Sequence, residues 1–296
     1  MLATEPAWSG GSLGALPRGR FGWLVILALG LTSCSTSPTG PRTSPTRLLP
    51  GHVESLVYGP FRNGRQCWVY LPPGYATSDR RYPVLYLNDG EIQFDVKGGI
   101  HANRVCEDLI RRGEMAPIIV VAIETGGGHQ RFVDYTPWPS FLWAPNGGGD
   151  FYLQAVRDTL KPEIDRRYRT LTDPRNTGMA GMSLGGLISV YAAYAYSGTF
   201  GRVGAFSPTY GYWGPTDIYE VADSLGRADT FVRWYQDTGY PDDNRIDGMI
   251  GLALGQGFKP GVDFLSVTEE GGEHDPPSWE HRFPDMIRFV FPPDPR

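Results

Sequence analysis

The chain contains no apolar run long enough to cross a bilayer as a helix. The stretch nearest to one, Phe21 to Leu31, has eleven residues, against the roughly 20 that a spanning helix needs. Basic charge is sparse as well: there are three lysines, no basic block, and a formal net charge of −5 at pH 7. A mildly acidic chain of this kind offers no electrostatic footprint for nucleic acid. Three cysteines are too few for a disulfide framework, and Cys67 and Cys106 lack the spacing of a metal site, so both read as buried free thiols. Histidine is also scarce, with five residues, so the search for a base or a metal ligand is short. What remains is a chain that is 41% hydrophobic and 20% charged, the balance of a globular protein.

The amino end reads as an address. Arg18 and Arg20 precede the short apolar core, and small residues follow it, the pattern of a secretory signal peptide. Its last residues, Leu31-Thr32-Ser33-Cys34, resemble a bacterial lipobox. The expectation is a signal peptide over 1–33, lipidation at Cys34 and a Ser/Thr/Pro-rich tether over 34–50 that cannot build a core. An exported protein anchored to a bacterial membrane follows, with Ser35 after the cysteine favouring the outer membrane by analogy. Residues 51–296 then form a single domain.

Within that domain, β-branched apolar runs recur at 52–58, 66–71, 83–88, 117–123, 177–182, 202–206, 231–236 and 263–268. Helical spacing occupies 150–168, 184–196, 243–257 and 278–291, and another helix is expected to start near His101. Alternation of strand and helix implies a mainly parallel sheet covered on both faces. The unbroken run Ile118 to Ile123 fits a central strand buried on both sides. In such sheets ligands sit beyond the carboxyl ends of the strands.

Gly181-Met182-Ser183-Leu184-Gly185-Gly186 joins a strand to a helix and contains G-x-S-x-G, the pattern of a nucleophile elbow. A serine hydroxyl becomes a useful nucleophile only when a tight turn exposes it beside a base. The chain order that goes with this elbow is serine, acid, histidine, which leaves His274 and His281. His274 lies in a glycine-bearing loop after the last strand and is preferred, whereas His281 falls inside the final helix. The orienting acid is sought after the strand 231–236, where Asp242 is preferred to Asp237 and Asp243. Asp242, Asp243, Asn244 and Asp247 miss the spacing of a calcium loop, so no metal is expected. The oxyanion donors would be the main-chain N–H of Leu184 and one from Gly90 or Glu91. Tyr135, Trp138, Tyr210 and Trp213 are candidates for an acyl or aryl pocket, and Arg131 for holding an acidic group.

Taken together, Tyr86 to Gly90 with Phe94-Asp95, Asp134-Tyr135-Thr136-Pro137, Gly181 to Gly186, Phe200 to Pro208 and Gly272-Glu273-His274 with Trp279 resemble the esterase family that groups esterase D, feruloyl esterases and enterochelin esterase. The resemblance covers most of residues 52–291. It implies an α/β-hydrolase fold, a triad of Ser183, Asp242 and His274, and hydrolysis of a small-molecule or saccharide ester without a cofactor. The chain departs from the family at Asn88-Asp89-Gly90, where many members carry His-Gly. The alternatives are an acyltransferase using the same triad and a non-catalytic surface lipoprotein that binds a siderophore or polysaccharide.

Overall fold

A computed structural model describes residues 51–59, 64–95, 97–140, 144–211, 217–239 and 245–294. The described strands are β1 (His52–Tyr58), β2 (Arg65–Leu71), β3 (Val84–Leu87), β4 (Ile119–Ile123), β5 (Thr177–Met182), β6 (Arg202–Phe206), β7 (Arg233–Gly239) and β8 (Phe264–Glu269). They form one sheet in the order β1-β2-β4-β3-β5-β6-β7-β8. β1 pairs antiparallel with β2 and β2 with β4, while all pairings from β4 through β8 are parallel. The helices are α1 (Ala102–Arg112), α2 (Gly128–Tyr135), α3 (Gly149–Ala155), α4 (Lys161–Arg167), α5 (Leu184–Ala195), α6 (Ile218–Leu225), α7 (Ile246–Gly255) and α8 (Pro276–Val290). This is the α/β-hydrolase arrangement, in a single domain.

Side chains on successive strand residues point to opposite faces, so a strand covered on both sides must be apolar throughout. β4 meets that condition: Ile119, Val121 and Ile123 enter the core beneath α3 to α7, and Val120 and Ala122 enter the core beneath α1 and α8. Each large apolar side chain buried in this way stabilises the fold by roughly 1.5–3 kcal/mol. Cys67 belongs to the first core and Cys106 to the second, and both are free and buried, as expected. Burial pushes both thiols up, away from the reactive thiolate.

Three expectations change. The helix expected over 150–168 is interrupted by a π turn over Val156–Leu160, just ahead of Pro162, whose ring can donate no bond to the carbonyl four residues back. β7 runs three residues beyond its expected end, because the pairing Gly239↔Glu269 with β8 prolongs it. The short helices α2 and α6 were not read from the sequence. Among the described residues, no helix is long and apolar enough to cross a membrane.

Candidate active site

β5 is buried along its whole length and stops at Ser183, whose φ of 58° and ψ of −121° reverse the chain into α5. Few side chains tolerate a positive φ, and the cost of such a residue is of order 1–3 kcal/mol. The turn closes because Gly181 has no side chain: a Cβ there would stand 2.7 Å from the carbonyl carbon of Gly185. The Ser183 N–H donates to the Phe206 carbonyl (2.9 Å), and the Ser183 carbonyl accepts from the N–H groups of Gly186, Leu187 and Thr209. The half-buried hydroxyl is left facing Thr209, whose Oγ1 lies 3.1 Å from Ser183 Oγ. Sequence reasoning missed Thr209, although its place two residues after Ser207 put it beyond the end of β6.

Ser183 lines a cleft of about 500 Å³ with Asp89, Glu91, Ile92, Thr125, Arg131, His274 and Trp279. These residues come from the segments after β3, β4, β5 and β8, from α2 and from the first turn of α8, so the cleft lies beyond the carboxyl ends of the parallel strands. His274 is exposed, and its ring meets the Trp279 indole edge to face at 5.2 Å. The loop that carries it is pinned from both sides. The Glu273 N–H donates to Ser278 Oγ (2.9 Å), and Asp275 caps α8 by accepting from the Ser278 N–H at 3.0 Å. His281, by contrast, is exposed on α8, and its Nδ1 lies 2.5 Å from Glu269.

Of the candidate acids, Asp242 and Asp243 lie outside the described residues, as do Trp213 and Cys34. Asp237 is described, and it sits within β7, wholly buried. Its carboxylate accepts from the Ser207 N–H (3.0 Å) and the Tyr235 hydroxyl (2.9 Å) and pairs with Arg282 at 3.2 Å. Burial pushes this group up to about 7, against the pull of Arg282. Arg282 also reaches Glu269 (2.8 Å) and donates to Ser207 Oγ (3.1 Å), and Trp279 donates to the same oxygen at 3.4 Å. These bonds fasten α8, and with it the His274 loop, to the ends of β6, β7 and β8.

The segment after β3 is equally constrained. Asn88 is buried and donates to the Gly185 carbonyl and Ser189 Oγ, each at 3.1 Å, while its own Oδ1 accepts from the Tyr152 hydroxyl at 2.5 Å. Gly90 packs against the backbone of Ala122 and Ile123, where a Cβ would stand at 2.6 to 2.8 Å. Glu91 accepts from the N–H and hydroxyl of Thr125 (2.9 and 2.6 Å). Leu184, the third expected oxyanion residue, occupies the first position of α5. Arg131 does line the cleft, but it is already held by Asp89 through a bidentate pair at 2.6 and 2.9 Å and donates to the Met182 carbonyl at 3.3 Å. Burial raises the Asp89 carboxyl, and the Arg131 bonds oppose that rise.

Two pocket assignments are corrected. Tyr135 is fully buried with its hydroxyl accepting from the Asp89 N–H (3.0 Å), and Tyr210 is 1% exposed and donates to Gln236 at 2.9 Å. Both rings belong to the framework, since their polar ends are used internally and their faces are enclosed. Trp138 is half-buried against Tyr191 and walls a narrow crevice with Leu184, Leu187 and Thr209. Among the described residues, no cluster of three or more metal-ligating side chains occurs.

The Esterase family model, described as "Putative esterase", matches residues 62–251, and the chain belongs to that family. It is 30% identical to the uncharacterized protein YbbA of Bacillus subtilis over 163 residues, 53% of this chain and 62% of that protein. It is 31% identical to an endo-1,4-beta-xylanase/feruloyl esterase of Xylanibacter ruminicola over 256 residues, 81% of this chain and 31% of that protein. The chain thus spans less than two thirds of the length of either relative. Its fold is similar to that of the enterobactin esterase from Shigella flexneri, with a TM-score of 0.63 and 20% identity, covering 82% of this chain and 59% of that one.

Proposed function

We propose that the protein is a serine carboxylic ester hydrolase in which Ser183 is the nucleophile, His274 the general base and Asp242 the acid that orients the imidazole. The observation that carries this reading is the shared cleft: Ser183, on its strained turn, and His274 line one cavity of about 500 Å³. Ser183 Oγ attacks the ester carbonyl while His274 takes its proton. The negative charge on the carbonyl oxygen is met by main-chain N–H groups of Leu184 and of Gly90 or Glu91. His274 then returns the proton to the departing alkoxide, which leaves as the alcohol. A water molecule, deprotonated by the same ring, releases the acid and restores the serine. The base must be uncharged to accept that proton.

The xylanase/feruloyl esterase relative and the enterobactin esterase neighbour support an ester substrate of acyl, feruloyl, acetyl-sugar or siderophore type. The chain should hydrolyse nitrophenyl acetate and be labelled by a fluorophosphonate. Labelling that persists in Ser183→Ala would overturn the assignment. Product analysis with an added alcohol separates hydrolysis from acyl transfer. In the same reading the chain is exported and anchored through lipid on Cys34, and palmitate labelling of expressing cells should vanish in Cys34→Ala.

A further inference from the structure

Thr209 is placed beside the nucleophile by a chain of bonds that begins at the end of β6. Ser207, wholly buried, takes a left-handed φ of 39°, and its N–H donates to the Asp237 carboxylate (3.0 Å) and carbonyl (3.1 Å). Its hydroxyl accepts from Arg282 (3.1 Å) and Trp279 (3.4 Å), so the bend is fastened to both β7 and α8. Pro208 follows, packed so tightly on α5 that a Cβ on Gly186 would stand 3.0 Å from the Pro208 Cβ. The Tyr210 N–H then donates to the Pro208 carbonyl (2.9 Å), closing a three-residue turn with Thr209 at its centre. The Thr209 N–H donates to the Ser183 carbonyl at 3.2 Å, and its Oγ1 stands 3.1 Å from Ser183 Oγ.

Thr209 is half-buried between two buried neighbours, Pro208 and Tyr210. Among the described residues, the hydrogen bond of its hydroxyl is the one to Ser183 Oγ, so this group is spent on the reacting atom. Each hydroxyl has one proton to donate. During attack Ser183 Oγ forms a bond to the ester carbonyl carbon, the carbonyl π pair moves onto the carbonyl oxygen, and the Ser183 proton passes to His274. The proton between the two hydroxyls must then belong to Thr209, which stays protonated throughout. Negative charge builds on Oγ as its proton leaves, and a hydrogen bond to a charged acceptor is roughly twice as strong as one between neutral groups. The bond therefore tightens in the transition state, which is the condition for an interaction to raise the rate. The later step, in which Oγ departs from the acyl carbon and recovers its proton from His274, gains in the same way.

We propose that Thr209 is a further catalytic residue of the Ser183 site: its hydroxyl donates to Ser183 Oγ, fixing the direction of attack and stabilising the charge that develops there. The role rests on the esterase reading, and the test keeps the two apart. Wild type, Thr209→Val and Thr209→Ser are compared for nitrophenyl acetate turnover and for the rate of labelling by a fluorophosphonate. Valine has the shape of threonine without the donor, so Thr209→Val should lower kcat roughly 10- to 100-fold, the worth of one hydrogen bond to a charged group, with KM within about twofold. Labelling, which needs only the attack by Oγ, should slow by the same factor. Thr209→Ser keeps the hydroxyl and should restore most of both rates. Should Thr209→Val fail to fold, Thr209→Ala takes its place, because the N–H bond to the Ser183 carbonyl does not depend on the side chain. A Thr209→Val enzyme with the kcat of wild type, whatever its KM, or a Thr209→Ser enzyme as slow as Thr209→Val, overturns the role of Thr209 and leaves the esterase reading intact. A wild type inert to both reagents removes the esterase reading, and the role of Thr209 with it.

Discussion

Ser183 occupies a backbone region that costs most residues of order 1–3 kcal/mol, and glycine adopts it freely. Ser183→Gly should therefore be more stable than Ser183→Ala, by about 1 kcal/mol in urea unfolding. Both should lose on the order of 10⁴-fold or more in kcat/KM on a nitrophenyl ester. Equal stabilities would mean that the turn stores no strain. Asp237 makes a second residue-scale case. An acid held at about 7 in the fold binds its proton more tightly there than in the unfolded chain, where the value is about 4. Its contribution favours folding below about pH 4 and is lost as the pH rises through about 7. Wild-type stability relative to Asp237→Asn should thus decline between these limits, and a flat difference across pH 4 to 8 would contradict it. Serine, histidine and the glycines of the elbow were legible as residue types. That Asp237 is spent on Arg282, Ser207 and Tyr235 was not, because two of those partners lie 30 and 45 positions away.

At the scale of elements, the site depends on how the segment after β3 is joined to α5. Asn88 makes that joint, reaching the Gly185 carbonyl and Ser189 on α5 and accepting from Tyr152 on α3. Asn88→Ala leaves three buried groups without this partner and should cost about 3 kcal/mol, measured by denaturant unfolding. The same change should lower kcat more than it raises KM, because it loosens the oxyanion segment relative to the nucleophile. An unchanged kcat would exclude such coupling. β5 and β6 begin and end where the apolar runs of the sequence do, because a strand buried on both faces writes its boundaries directly into composition. α2 escaped notice for the opposite reason. It has few apolar residues, and a buried ion pair between Arg65 and Asp134 helps to hold it against the sheet.

For the molecule as a whole, the sheet separates two cores and with them the two described cysteines. Because Cys67 and Cys106 lie in different cores, reductant should leave the melting temperature unchanged. A drop on adding dithiothreitol would require a pairing that the sheet forbids. The amino-acid sequence by itself determined the alternation of strands and helices, the elbow at Ser183 and the short set of histidines that could serve it. Each of these is a local pattern, set by the period of side-chain direction or by the few residue types able to do the chemistry. Only the tertiary structure decided that His274 and Ser183 share a cleft and that Tyr135 and Tyr210 are enclosed. Those facts depend on strand order, which sets β3 between β4 and β5, and neighbours set by long-range pairing leave no mark on the spacing of residues along the chain.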